Sequence, residues 1–187
     1  MRYEFSLIYD LDTTVGVAVA AYLDGEHYRF LHSGYSPEYE VIEHEDCRMR
    51  VRQTWVLGPW RVGQTYTTVY EPPARFIAFD IKPSPRWLPS IHHLIKVRTD
   101  LRYYPDAAGD KTVSHLDVTI DIPFWLWPLR KLVRRRIEQL KIEKDAEDIA
   151  MIARRAEIFG RGNIKSYLPE HQFLFHKDHF MKHFGDA

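Results

Sequence analysis

The feature that most constrains this chain is a change of period at Pro123. Before it, apolar residues recur at every second position; after it, they recur about every 3.6. Between Arg48 and Leu57, residues Met49, Val51, Gln53, Trp55 and Leu57 fall on one face, and Arg48, Arg50, Arg52 and Thr54 fall on the other. That is the alternation of an antiparallel sheet with one wet side. Gly58-Pro59 predicts a turn, and Arg61 to Tyr70 predicts the next strand, closed by Pro72-Pro73 because proline cannot donate to a ladder. Phe76 to Ile81, Ile91 to Tyr104 and Val113 to Ile122 read as further strands, and Tyr3 to Tyr9 as a first one. Beyond Pro123, Leu129, Leu132, Val133, Ile137 and Leu140, then Ala146, Ile149, Ile152, Ala153 and Ala156, form one apolar stripe ending at Gly160. The stripe predicts a long terminal helix. Thr13 to Leu23, rich in Val and Ala, predicts a short helix after the first strand, with Asp12 as its cap. Lys82 to Pro89, with Pro83, Pro85 and Pro89, predicts an ordered loop or lid.

The expected fold class is therefore α+β, a curved antiparallel sheet around a long C-terminal helix. The 187 residues fit one domain. We place its boundary near residue 160, with an aromatic, His-rich tail over 161–187 that packs on the domain or on a neighbouring subunit. Lys and Arg total 26 and Asp and Glu total 26, so the surface as a whole does not favour nucleic acid. Cys47 is the single cysteine. It excludes an intramolecular disulfide framework and fits a reducing compartment. It also excludes a Rieske cluster within these residues, since that cluster needs two cysteines and two histidines. Acid enters early, at Glu4, unlike a signal peptide, and Val15 to Ala21 is far too short to span a membrane. A cytoplasmic protein is expected.

Chemistry concentrates between Leu23 and His32, where Asp24, His27 and His32 have the spacing D-x2-H-x4-H. Two neutral imidazoles with a carboxylate are the ligand set of mononuclear non-haem iron(II). Asp24 and His27 are three apart and can touch on a helix. His27 and His32 are five apart, which turns the side chain by about 140° net, so they converge only if the helix breaks or bends between them.

The order of elements resembles the START-like helix-grip superfamily, and the motif is similar to that of the catalytic domain of Rieske non-haem iron oxygenases in both spacing and position. Glu147-Asp148-Ile149 on the long helix resembles that family's Glu-Asp segment. The resemblance covers roughly residues 1 to 160. It implies that His27, His32 and Asp148 hold Fe(2+) on one face, leaving the other for dioxygen and substrate. It further implies that Asp24 holds the N–H of His27, fixes its tautomer and relays an electron. With no cluster domain in these residues, the electrons are expected from a separate Rieske ferredoxin or cluster-bearing subunit, and the resemblance implies a homotrimer. The other reading of the same fold is an iron-free carrier for a lipid, sterol or polyketide.

The inward face nominates Gln53, Trp55, Tyr66, Phe79, His93, Val97 and Thr99 for substrate binding, against plain core packing. Gln53, His93 and Thr99 stand out because polar groups on an apolar face need partners. The wall favours a hydrophobic aromatic or polycyclic substrate. Phe124-Trp125-Leu126-Trp127, followed by Arg130, Lys131, Arg134, Arg135 and Arg136, pairs aromatics with cations. Such a stretch suits peripheral contact with an anionic membrane or an acidic redox partner; the plainer alternative is a buried aromatic start and a solvated basic helix face. His176, His179 and His183 have helical spacing that suits a metal, or simply belong to an aromatic packing arm.

Overall fold

The structure, a computed structural model, describes residues 1–34, 36–57, 60–84, 95–160, 162, 164 and 174–185. Seven strands form one antiparallel sheet in the order β1-β7-β6-β5-β4-β3-β2. They are β1 (Arg2–Leu11), β2 (Glu38–Glu45), β3 (Arg48–Leu57), β4 (Trp60–Glu71), β5 (Arg75–Ser84), β6 (Lys96–Pro105) and β7 (Thr112–Asp121). Only β1 is carried across the sheet, to lie beside β7 with Phe5 opposite Val118. The α1 (Val15–Leu23) and α2 (Gly25–Phe30) helices and a 3₁₀ turn, Leu31–Gly34, fill the connection between β1 and β2. A second 3₁₀ turn, Phe124–Leu129, leads into α3 (Arg130–Phe159), and α4 (Lys177–Phe184) follows. This is the expected helix-grip architecture.

The first helix is buried on all sides, because Ala18, Val19, Ala20 and Ala21 are small enough to be covered by both the sheet and α3. Its N-cap is Thr14, without a side-chain cap. The expected cap, Asp12, instead faces Lys111 at 3.7 Å. At Gly16 a Cβ would overlap the side chain of Ile164, so glycine there lets the chain beyond α3 seat directly on α1. Phe180 of α4 and Leu174 belong to the same core as α1, Tyr70, Phe76 and Ile152. Burying a ring as completely as Phe180 stabilises the fold by roughly 1.5–3 kcal/mol. A second core lies under β1, β6 and β7, where Phe5, Leu116, Val118 and Ile120 meet Leu126.

Two patterns differ from expectation. The β5 strand continues through Lys82, Pro83 and Ser84, paired with Thr65, Gln64 and Gly63. A bulge opposite Tyr66, with Asp80 at a φ of 57°, bends β5. Its described ladder to β6 covers only Arg75–Ala78, so Pro83 sits where a missing N–H costs little. The rest of the expected loop, 85–94, lies outside the described residues. The apolar stripe of α3 is also only partly buried: Val133, Ile137, Ile149, Ile152 and Ala156 pack inward, whereas Leu129, Leu132 and Leu140 are exposed.

Candidate metal centre

The first helix stops at Asp24, whose backbone is extended (φ −69°, ψ 108°). The tail fixes that break: Phe175 N–H donates to the carbonyl of Leu23 at 2.9 Å, and Asp24 bridges Leu174. The Phe175 ring lies so close to Gly25 that a Cβ there would stand 2.8 Å from it. The chain then passes from α2 to a 3₁₀ turn at Leu31, between His27 and His32. This is the bend that their five-residue spacing required. Their rings meet edge to face with centroids 5.4 Å apart, and both are buried.

Asp148, about five turns along α3 from its start, faces them. His32 Nε2 lies 3.0 Å and His27 Nε2 lies 3.8 Å from Asp148 Oδ1. One ligand atom from each of the three residues falls within 4.8 Å of the others. Donors held at about 2.0–2.2 Å from one ion stand roughly 3.0–3.5 Å apart, so a small contraction brings all three into coordination range.

Hydrogen bonding decides which atoms are electron-pair donors. His27 Nδ1 is 2.8 Å from the backbone carbonyl of Asp24, a group that only accepts, so Nδ1 carries the proton and Nε2 the lone pair. His32 stands between two carboxylates, with Nδ1 3.2 Å from Glu147 Oε2 and Nε2 3.0 Å from Asp148 Oδ1; a metal at Nε2 would take the lone pair there and leave the proton at Nδ1 for Glu147. Burial, partly countered by Asp148, lowers the pKa of His27 to about 4, so that ring is neutral at physiological pH. Burial pushes the Asp148 carboxyl upward, but contact with His32 and the charges of Lys144 and the histidines outweigh it and hold the carboxyl below its usual range. The Nε2 atoms of two imidazoles and a carboxylate oxygen thus lie together. Such a donor set fits a divalent cation.

The role expected of the Asp24 side chain falls elsewhere. Its backbone carbonyl, released from α1 at the helix end, holds His27. Its carboxylate, fully buried, takes Arg155 of α3 at 2.6 Å, because a buried anion needs a charged partner. Glu147 orients His32 as a carboxylate behind a metal-ligating histidine does. Neither Glu147 nor Arg155 was singled out for a role by spacing. Their signal was only their helical distance from Asp148: Glu147 is adjacent, and Arg155 lies two turns on, on the same side of α3.

The cavity touching this cluster holds about 50 Å³, between Tyr9, Tyr22, Leu101, Tyr103, Ile149 and the His27–Asp148 pair. Among the described residues, none of those nominated for substrate binding is in its walls. Gln53 is buried and closed on itself: its Nε2 donates to Ser36 Oγ at 2.8 Å, and its Oε1 accepts from the Tyr66 hydroxyl at 3.1 Å. Tyr66 lines a smaller void of about 20 Å³ beside Tyr28 and Tyr39. Val97 packs in the second core, whereas Phe79 and Thr99 are half-buried on β5 and β6. Trp55 is on β3, its side chain outside the described residues, as is all of His93. Gln53, Trp55, Tyr66 and Phe79 come from β3, β4 and β5, while the cavity beside the cluster is walled by β1, β6 and β7 with α1 and α3. A cavity of 50 Å³ admits one or two waters; a ring compound needs several times that volume and so requires the wall to move.

The tail histidines serve the β2–β3 hairpin. His176 Nδ1 donates to the carbonyl of Asp46 at 2.7 Å, and His179 pairs with the Asp46 carboxylate. Asp46, Cys47 and His179 also lie within 4.8 Å of one another, but the Asp46 carboxylate is largely exposed.

No family model and no curated protein matches this sequence. Solved structures do match. An aromatase/cyclase from a Streptomyces species superposes with a TM-score of 0.67 at 9% identity, over 83% of this chain and 96% of the other. The chain has the START-like helix-grip fold. A point mutant of norcoclaurine synthase from Thalictrum flavum gives 0.64 at 11% identity, over 84% and 97%. A START superfamily protein from Mycobacterium smegmatis gives 0.55 at 11% identity, over 79% and 98%. At these identities the likeness establishes the START-like frame and leaves chemistry to the site. No Rieske oxygenase is among the three.

Proposed function

We propose that this START-like protein holds a mononuclear divalent metal, iron(II) by its donor set, beside a site for a hydrophobic small molecule, and acts as an oxygenase component. The observation that carries the reading is the convergence of His27 Nε2, His32 Nε2 and Asp148 Oδ1, with His27 Nδ1 held by the Asp24 carbonyl and His32 Nδ1 beside Glu147. Bound iron(II) would supply dioxygen activation. The backbone of Asp24 and the side chain of Glu147 set the imidazole tautomers, and Tyr22, Tyr103 and Leu101 present an apolar wall to the substrate. A Rieske centre outside these residues would supply the electrons, since Cys47 alone cannot hold the cluster. A trimer would bring a neighbour's donor close. The test is anaerobic Fe(II) titration with metal analysis: one iron per chain is expected, lost in His27→Ala and Asp148→Ala. Wild type that stays metal-free under iron-replete expression would sink the reading.

A second reading has its own support. The neighbours include an aromatase/cyclase and a START superfamily protein, which favours a metal-free binder of a lipid, sterol or polyketide. Both readings place a hydrophobic small molecule in the same frame, and the metal divides them. The binder predicts a co-purifying apolar ligand whose affinity is unchanged in His27→Ala, whereas the metal reading predicts that this variant loses iron.

A further inference from the structure

We infer that the start of α3, with the 3₁₀ turn before it, is a peripheral docking surface for an anionic phospholipid bilayer. The inference does not depend on whether the metal centre is loaded.

Four large apolar side chains stand in solvent there: Phe124 is 76%, Trp125 54%, Leu129 51% and Leu132 66% exposed. They are not a frayed end. The turn is anchored from beneath by Leu126, which is buried in the second core, and by Trp127, which stacks on Tyr3 with centroids 5.1 Å apart. Phe124 and Trp125 are therefore presented on a fixed platform, and their exposure is a property of the fold.

Charge identifies the occupant. Arg130, Lys131, Arg134, Arg135 and Arg136 follow within seven residues, and the first acid after them is Glu138. The whole chain is neutral, so this excess is segregated to one end of one helix. The guanidinium of Arg130 lies 4.7 Å over the Trp127 ring and that of Arg134 lies 5.7 Å over Phe5. These cations thus rim the aromatic turn, while Lys131, Arg135 and Arg136 are exposed. Aromatic and aliphatic side chains beside Lys and Arg match the interface of a bilayer, whose apolar boundary takes the rings and whose anionic headgroups take the cations. A second copy of the chain fits poorly, because a two-fold contact would set five cations against the same five. No helix among the described residues is long and apolar enough to cross a membrane, so the contact is interfacial. Leu132 and Asp148 are 16 positions apart on one helix, about 24 Å, so the patch and the cluster are separate surfaces.

Flotation of the full chain with vesicles tests this. Binding is expected to vesicles of phosphatidylcholine with phosphatidylglycerol at low salt, weakening by roughly tenfold or more with phosphatidylcholine alone or at high salt. The surface double variant Phe124→Ser/Trp125→Ser should lose binding while keeping the wild-type thermal transition. Arg135→Glu/Arg136→Glu should lose it independently. No binding to anionic vesicles, or binding that both double variants retain, overturns the proposal. So does a dimer in analytical ultracentrifugation that Phe124→Ser/Trp125→Ser dissolves, since the patch would then be a contact between copies.

Discussion

Two buried polar groups lie on the inner side of this molecule, and they differ in kind. Around Gln53, a donor faces each acceptor: the amide N–H₂ meets Ser36, and the amide oxygen meets Tyr66. Around Asp148, the Nε2 atoms of two imidazoles face one carboxylate oxygen, at 3.0 and 3.8 Å. The first group is complete as it stands and works as structure. The second has its Nδ1 atoms held on the far side, by the Asp24 carbonyl and by Glu147, and would be completed by a cation. Burial alone does not mark a ligand site; the sign of what converges does.

The comparison can be broken most severely at Arg155. Arg155→Ala should destabilise the fold by roughly 3–5 kcal/mol, because the buried Asp24 carboxylate loses its cationic partner. Urea unfolding measures this, and a loss below about 1 kcal/mol would mean that the Asp24 break is held by the tail alone. Next comes Glu147→Ala, which removes the group orienting His32. Metal affinity should fall by about 10–100-fold with little change in unfolding midpoint. An unchanged affinity would leave Glu147 a surface partner only. Gln53→Ala should do the opposite, costing about 1–3 kcal/mol of stability by stranding Ser36 and Tyr66 while leaving metal content intact. Iron loss in that variant would erase the distinction between the two groups.

The smallest effect concerns a polar group on the other face of the sheet. Asp100 is held below its usual pKa chiefly by hydrogen bonding from Arg75 and then Arg102, against burial. A depressed carboxyl contributes stability that is fully present above its unfolded value, near 3.8, and is lost as pH falls through the lower folded value. Asp100→Asn should therefore cost roughly 1 kcal/mol at neutral pH. The gap from wild type should close in acid below the folded value. A pH-independent gap would assign the cost to packing.

Much of the frame was legible in residue order, because period reports which side of an element meets the core. The alternation from Arg48 to Leu57 correctly put Met49, Val51 and Gln53 inside, and the apolar stripe ended α3 one residue before Gly160. For substrate residues the same logic reaches less far. Period tells inside from outside but not which stretch of the inner face borders a void: the cavity beside His27 and Asp148 is walled by β1, β6 and β7, and Tyr66 borders a smaller one. It failed for Leu129, Leu132 and Leu140, which alternate along the chain with the packed Val133 and Ile137, because the apolar stripe is wider than the strip of helix that the core covers.

The spacing of Asp24, His27 and His32 determined by itself that two imidazoles could meet only across a bend, since that follows from 100° per residue. It could not determine which atom of Asp24 would hold His27, or that Glu147 would take the proton of His32. Those depend on where α1 ends and on how α3 lies across it, contacts between residues more than a hundred positions apart. Tertiary structure alone made those choices, because a proton goes to whichever acceptor packing brings within reach.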